Sequence, residues 1–299
     1  MLMHRVADDA FLSGLKQDAK MVTWALPESL THVYHAPIAM HECGFNLLVD
    51  LYYRDKRPAA SRPALIFLHD WSGGNQPRMC GDRQSSYLAL TEGLFCAVLY
   101  YRQPEDGRFP AALHDVKCAV RWLRSVAGEY SIAADQIIVM GSSAGSQWAA
   151  LAAATNGSKG YEGAGGYDNY SSDVNMAVLL SGVYDLVGDF RDWENVRQIM
   201  GGTCDEMPGR YHEASPVEHL HPGMPPVLMI HGEQDKGCPV RSAIAAAAKL
   251  KSLDVPCELV VRQGAGHDLA GPGSTLYSNL EVVGRFIRLH FRCAADGVR

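Results

Sequence analysis

Gln136-Ile137-Ile138-Val139-Met140-Gly141-Ser142-Ser143-Ala144-Gly145 is the stretch on which the reading of this chain turns. Its first five residues are mostly apolar and β-branched, the composition of a buried strand. Alanine-rich Trp148 to Thr155 follows and reads as a helix. Between them stands Gly-x-Ser-x-Gly, the pattern of a serine held on a sharp strand-to-helix turn. Such a turn crowds the positions two residues either side of the serine, where Gly141 and Gly145 stand. The strained backbone then lifts Ser143 Oγ clear of the sheet, above the N-terminus of the next helix. Free N–H groups and a partial positive charge at that helix end suit a developing oxyanion. The plainer alternative is a Gly/Ser turn that only caps a helix, and the flanking strand and helix separate the two.

Outward from this point, apolar runs alternate with helical patterns after residue 60. Ala64 to His69, Phe95 to Tyr101, Gln136 to Met140, Met176 to Ser181, Pro226 to His231 and Glu258 to Arg262 read as strands. Gln84 to Glu92, Ala111 to Val126, Ser146 to Thr155, Arg241 to Leu253 and Tyr277 to Phe291 read as helices. Before them, Thr31 to His35 and Phe45 to Tyr53 suggest a hairpin. In it Leu47, Val49 and Leu51 alternate with Asn46 and Asp50 as on a half-exposed antiparallel edge. The expected class is therefore α/β, a doubly wound, mainly parallel sheet with helices on both faces. One domain is expected over 1–299, with an N-terminal extension over 1–30 and a small helical lid insert over 183–224. Asn156 to Asp173, rich in glycine and tyrosine, reads as a surface loop that could rim a pocket.

Open parallel sheets place their sites at the carboxyl ends of strands. A serine hydroxyl needs a base there, and the base needs an orienting acid. Asp235 lies in the loop leaving the Pro226 strand, and His267 follows the next strand on a glycine-flanked turn. The order Ser143, Asp235, His267 makes these the candidate catalytic residues. Asp185 and Glu233 are the alternative acids. His69 and His231 read as partners of loop backbone at their strand ends. The loop after Ala64 to His69 offers a second oxyanion donor, so the N–H groups of Trp71 and Ala144 are paired in that role. Asp70, Ser142 and Trp193 are the candidate substrate contacts.

Composition narrows the classes further. Hydrophobic residues make up 47% and charged residues 20% of 299, enough for a large core. With a net charge of −6 and no basic run, nucleic acid and anionic membrane are poor partners. Met1 to Lys20 carries Asp8, Asp9, Lys16, Asp18 and Lys20, not the apolar core of a signal peptide. No apolar stretch approaches the roughly 18 residues of a membrane span, so a cytoplasmic location is expected. The 8 cysteines lack paired or metal-like spacing, which points to buried reduced thiols and no metal site. No cofactor is expected, and oligomeric state is not legible.

With these residues in hand, the chain resembles the α/β-hydrolases of the bacterial esterase/lipase group. That group includes hormone-sensitive-lipase-like and feruloyl- or acetyl-esterase-like enzymes. The resemblance runs from about Leu30 to Phe291. It rests on Gly141-Ser142-Ser143-Ala144-Gly145, Tyr101-Arg102, Phe109-Pro110-Ala111-Ala112 and Asp115-Val116, then Ala119-Val120-Arg121-Trp122-Leu123 and Tyr170-Ser171-Ser172. Ala214-Ser215-Pro216, His231-Gly232 with Asp235, and Gly264-Ala265-Gly266-His267 complete it. Ser143, Asp235 and His267 fall on the group's triad positions. The group usually carries His-Gly-Gly-Gly where this chain has His69-Asp70-Trp71-Ser72, so side chains stand where glycines let backbone approach substrate. The resemblance implies a carboxylic ester hydrolase for small acyl or aromatic esters, carbohydrate-linked esters among them, with a small-molecule ester as its partner. An amide hydrolase of peptidase or arylformamidase type is the alternative on the same residues. A non-catalytic ligand-binding relative is the third.

Overall fold

The computed structural model of the protein describes residues 28–41, 44–69, 77–269 and 275–291, the side chains of 77–80 excepted. Among the described residues, the apolar runs pair into one eight-stranded sheet. Its strands are β1 (Thr31–Met40), β2 (Asn46–Tyr53), β3 (Arg62–Leu68), β4 (Phe95–Tyr100), β5 (Ile132–Ser142), β6 (Met176–Leu180), β7 (Val227–Gly232) and β8 (Cys257–Arg262). They lie in the order β1-β2-β4-β3-β5-β6-β7-β8. The β1–β2 and β2–β4 pairs are antiparallel, and every other pair is parallel. Helices α1 (Pro77–Thr91), α2 (Ala111–Ser125), α3 (Ala127–Tyr130), α4 (Ala144–Ala154), α5 (Glu194–Met200), α6 (Pro208–Ala214), α7 (Val240–Ser252) and α8 (Leu276–His290) fill the connections.

Because strand side chains alternate, the central strand feeds two cores. Ala64, Ile66 and Leu68 of β3 join one apolar cluster, with α2, α4 and α7 over them; Leu65 and Phe67 join the other, under α1 and α8. Burying each such leucine, isoleucine or phenylalanine contributes about 1.5–3 kcal/mol. The run Ala149-Ala150-Leu151-Ala152-Ala153-Ala154 keeps α4 small-sided and buried, so the helix lies close over the sheet.

Three expectations need correction. Strand β2 is not an edge: it is flanked by β1 and β4, and Asp50 is fully buried there. Its carboxylate is satisfied by the His35 N–H and the Tyr100 hydroxyl, each at 2.6 Å. The alternation that suggested exposure therefore reflects a buried acid with partners, and β1 forms the edge. Helix α1 begins at Pro77, seven residues before the expected start at Gln84, because proline suits the first turn of a helix. Finally, the 156–173 segment is tied along α2 and does not rim the cavity described below. Lys117 Nζ, fully buried, donates to the Thr155 carbonyl at 3.0 Å and Ser172 Oγ at 3.1 Å. Arg121 Nη1 meets Glu162 Oε2 at 2.7 Å, and Arg124 donates to the carbonyls of Ser171 and Asp173 at 2.6 Å. The span 183–224 carries α5, α6 and a 3-10 turn at Pro216–His219.

Candidate active site

Parallel pairing in register aligns Leu68 of β3 with Gly141 of β5 and Gly141 with Leu179 of β6. The strand ends that carry chemistry are thereby brought side by side. At the end of β5 the chain reverses through Ser143, whose φ of 52° and ψ of −119° leave the regions open to ordinary residues. Two glycines make the reversal feasible. A Cβ on Gly141 would stand 2.2 Å from the Gly145 carbonyl oxygen, and one on Gly145 would stand 2.2 Å from that of Leu68. The Ser143 N–H is taken by the Leu180 carbonyl at 2.9 Å. Ser146 Oγ bridges the carbonyls of Gly141 and Leu180 at 2.7 and 2.8 Å, fastening the turn to β6. Ala144 opens α4, where first-turn N–H groups have no carbonyl partner within the helix.

Three expected residues meet here. Ser143 Oγ lies 3.0 Å from His267 Nε2. On the other side of the ring, His267 Nδ1 lies 2.9 Å from Oδ2 and 3.1 Å from Oδ1 of Asp235. Burial pushes the Asp235 carboxyl up. Hydrogen bonds from His231, from His267 and from the Cys238 N–H outweigh that burial and hold it well below the usual carboxylate range. An ionised carboxylate only accepts, so Nδ1 of His267 carries the proton and Nε2 is left to accept from Ser143. The side chain of Asp235 is sealed from solvent while that of His267 is partly open.

The remaining candidates separate. Asp185 takes the N–H groups of Val187 and Gly188 at 3.1 and 2.8 Å, and Glu233 takes that of Gly264 at 3.0 Å. Both acids serve loop turns instead of the imidazole. Ser142 is the last residue of β5, in register with Leu180. Trp193 packs edge-on against Phe190, with ring centroids 4.8 Å apart. Asp70 and Trp71 lie outside the described residues.

A cleft of about 290 Å³, open at its mouth, adjoins Ala144. Phe109, Ala112, Trp148 and Ile199 form its apolar walls, and Arg102 and Gln103 its polar side. Arg102 is held in place by Asp115, its Nη2 at 2.7 Å and Nε at 3.0 Å from the carboxylate. Of the 183–224 span, Ile199 lines this cleft.

His231 bonds loop backbone as expected, but its approach to Asp235, and the part played by Cys238, escaped the sequence reading. His231 Nε2 donates to the Cys238 carbonyl at 2.7 Å and stands 3.4 Å from Asp235 Oδ2. The Cys238 N–H donates to Asp235 Oδ1 at 2.7 Å. The spacing Asp235 to Cys238 is that of an aspartate bonding backbone just ahead of it, which was the available signal. Asp235, Cys238 and His267 also bring a carboxylate oxygen, a thiol and a ring nitrogen within 4.8 Å of one another. Such a set can ligate a soft cation only by surrendering the hydrogen bonds just described.

A family model described as BD-FAE matches residues 49–250. The chain is 28% identical over 218 residues to the esterase LipQ of Mycobacterium tuberculosis, covering 68% of this chain and 49% of LipQ. It is 28% identical over 236 residues to the esterase LipC of the same organism, covering 74% of this chain and 56% of LipC. This chain thus spans about half the length of the curated relatives it matches. Among solved structures, the propionate-bound esterase Est2 of Thermogutta terrifontis superposes with a TM-score of 0.73 at 25% identity, covering 90% of this chain and 97% of Est2. A bifunctional GH43-CE protein of Bacteroides eggerthii shares the fold, with a TM-score of 0.74 at 22% identity over 87% of this chain and 38% of that one. Among the described residues, no helix is long and apolar enough to cross a membrane.

Proposed function

This chain belongs to the BD-FAE family, and from that premise we propose that it is a serine carboxylic ester hydrolase working through an acyl-enzyme. Its fold is that of the α/β-hydrolases. One observation carries the proposal: Ser143 Oγ, His267 and Asp235 form an unbroken hydrogen-bonded chain of 3.0 and 2.9 Å. Ser143 Oγ attacks the ester carbonyl as His267 Nε2 takes its proton. The ionised Asp235 stabilises the imidazolium, which then returns the proton to the leaving alcohol. Water, deprotonated by the same nitrogen, attacks the acyl-enzyme and frees Ser143.

The Ala144 N–H faces the oxygen that becomes negative, with the positive end of α4 behind it. Trp71 is proposed as the second donor, and Asp70, Ser142 and Trp193 as substrate contacts. The 183–224 span serves as the lid, with Ile199 walling the acyl side. The apolar walls of Phe109, Trp148 and Ile199 around a modest cleft favour small acyl groups, and the propionate-bound state of the Est2 neighbour supports that reading.

The test is hydrolysis of p-nitrophenyl esters from acetate to octanoate by the wild type beside Ser143→Ala. Turnover is expected to fall by about 10⁶-fold in the variant, with acetate to butyrate the best substrates of the wild type. A variant within about tenfold of the wild type would refute the mechanism. Octanoate as best substrate would refute the acyl assignment alone.

A further inference from the structure

Two adjoining residues at the end of β6 hold both the nucleophile turn and the base. The carbonyl of Leu180 accepts from the Ser143 N–H at 2.9 Å and from Ser146 Oγ at 2.8 Å. The next residue, Ser181, serves the other partner. Its N–H donates to the Ile230 carbonyl of β7 at 3.0 Å, and its Oγ donates to the His267 carbonyl at 2.8 Å. A carbonyl only accepts, so the direction of that bond is fixed. The same His267 oxygen also accepts from the Leu269 N–H at 3.0 Å. Ser181 is wholly buried and holds a φ of 47°, a backbone that a serine adopts only at a cost. Glycine suits such a backbone but brings no hydroxyl. Here the position carries one, and it is spent on a residue 86 positions further along the chain.

We propose that Ser181 is a positioning residue for the base. Its hydroxyl ties the His267 backbone to the strand end that also fastens the nucleophile turn, and so sets the 3.0 Å separation of Nε2 from Ser143 Oγ. The inference rests on the esterase reading above and adds a residue to it. His267 follows Gly264-Ala265-Gly266, a run with wide backbone freedom. Asp235 holds the imidazole at Nδ1 alone, which fixes the tautomer but leaves the ring able to swing about that contact. The Ser181 bond restrains the backbone from which the ring hangs.

The experiment compares wild type with Ser181→Ala and Ser181→Gly. It measures kcat and KM for p-nitrophenyl acetate and the rate of p-nitrophenolate release from a p-nitrophenyl phosphonate, with a thermal melt for each variant. Release from the phosphonate reports Oγ attack whatever ester the protein prefers. Both variants are expected to lose about tenfold in kcat and in phosphonate release. That exceeds the roughly fivefold of one neutral hydrogen bond and falls short of the about 10²-fold of a full 1 Å misplacement. KM is expected to hold within about twofold, because one imidazole serves acylation and deacylation alike while the cleft walls are untouched. Glycine relieves the positive φ and alanine does not, so the glycine variant is expected to melt above the alanine variant yet be as slow. Should the alanine variant fail to fold, glycine against wild type carries the test. A glycine variant with wild-type kcat overturns the inference, since backbone strain alone would then set the rate. Wild-type kcat in the alanine variant, or a loss confined to KM, overturns it too. A wild type that the phosphonate does not modify at Ser143 overturns the esterase reading beneath it.

Discussion

Replacing Gly145 by alanine tests how the elbow is built. The added Cβ would lie 2.2 Å from the Leu68 carbonyl oxygen, 2.6 Å from that of His69 and 2.7 Å from the Leu68 carbonyl carbon. All three are backbone atoms at the end of β3, where Leu68 pairs with Leu99 on one side and Gly141 on the other. No side chain can rotate away to relieve the contact. Helix α4 and the end of β3 must part by about 0.8 Å merely to reach 3.0 Å, below which real Cβ contacts essentially never fall. That shift moves the Ala144 N–H relative to Ser143 and displaces His69, the last described residue before the proposed oxyanion loop. Misplacement on the 1 Å scale costs about 10²-fold in rate, and overpacking of this kind costs about 1–3 kcal/mol of stability. We therefore expect Gly145→Ala to lower kcat/KM for p-nitrophenyl acetate by about 10²-fold and to lower the melting temperature. Phosphonate titration normalises each preparation to its competent fraction. Gly128→Ala is the control: it lies in α3 with nothing within 4 Å of its added Cβ, and a helical Gly→Ala change gains about 0.5–1 kcal/mol. A Gly145→Ala enzyme with wild-type kcat/KM and melting temperature would show that the close approach of α4 to β3 does not position the site.

Asp235→Asn is expected to lower kcat by about 10⁴-fold, because an amide no longer fixes the Nδ1–H tautomer of His267; steady-state rates check this. The same variant tests linkage. The folded Asp235 titrates below its unfolded value, so its stabilisation is present above about pH 4 and is lost as pH falls towards the folded pKa. Urea unfolding from pH 6 down to pH 3 should show the gap between wild type and Asp235→Asn narrowing with acidification; a constant gap would contradict it. Asp115→Ala removes the buried partner of Arg102 and should cost about 3–5 kcal/mol in urea unfolding, with the Arg102 side of the cleft loosened enough to raise KM for short esters.

The order of elements was legible because each leaves a local mark. Apolar runs such as Ile137 to Met140 pair as strands, alanine-rich 149–154 packs as a helix, and Gly141 and Gly145 mark a turn that tolerates no Cβ at either position. Local marks also sufficed for Ser143, Asp235 and His267, since each follows a strand that a parallel sheet must end on one side. Local patterning misled where burial depends on distant partners. Asp50 looked solvent-facing until His35 and Tyr100 were seen to satisfy it, and the 156–173 loop looked free until Lys117, Arg121 and Arg124 were seen to tie it to α2. Nothing within 183–224 singles out Ile199 as the residue that lines the cleft, because helix orientation is settled by packing between elements.

What the sequence determined by itself was therefore the alternation of strand and helix, the strained turn at Ser143 and the chain order of Ser143, Asp235 and His267. Each is written in neighbours along the chain, through backbone sterics and the period of apolar residues. Only the tertiary structure decided that His231 and Cys238 join Asp235 and that Ile199 walls the cleft. Those contacts link residues from different strand ends and from the 183–224 span, and they exist only once the parallel register has set these segments side by side.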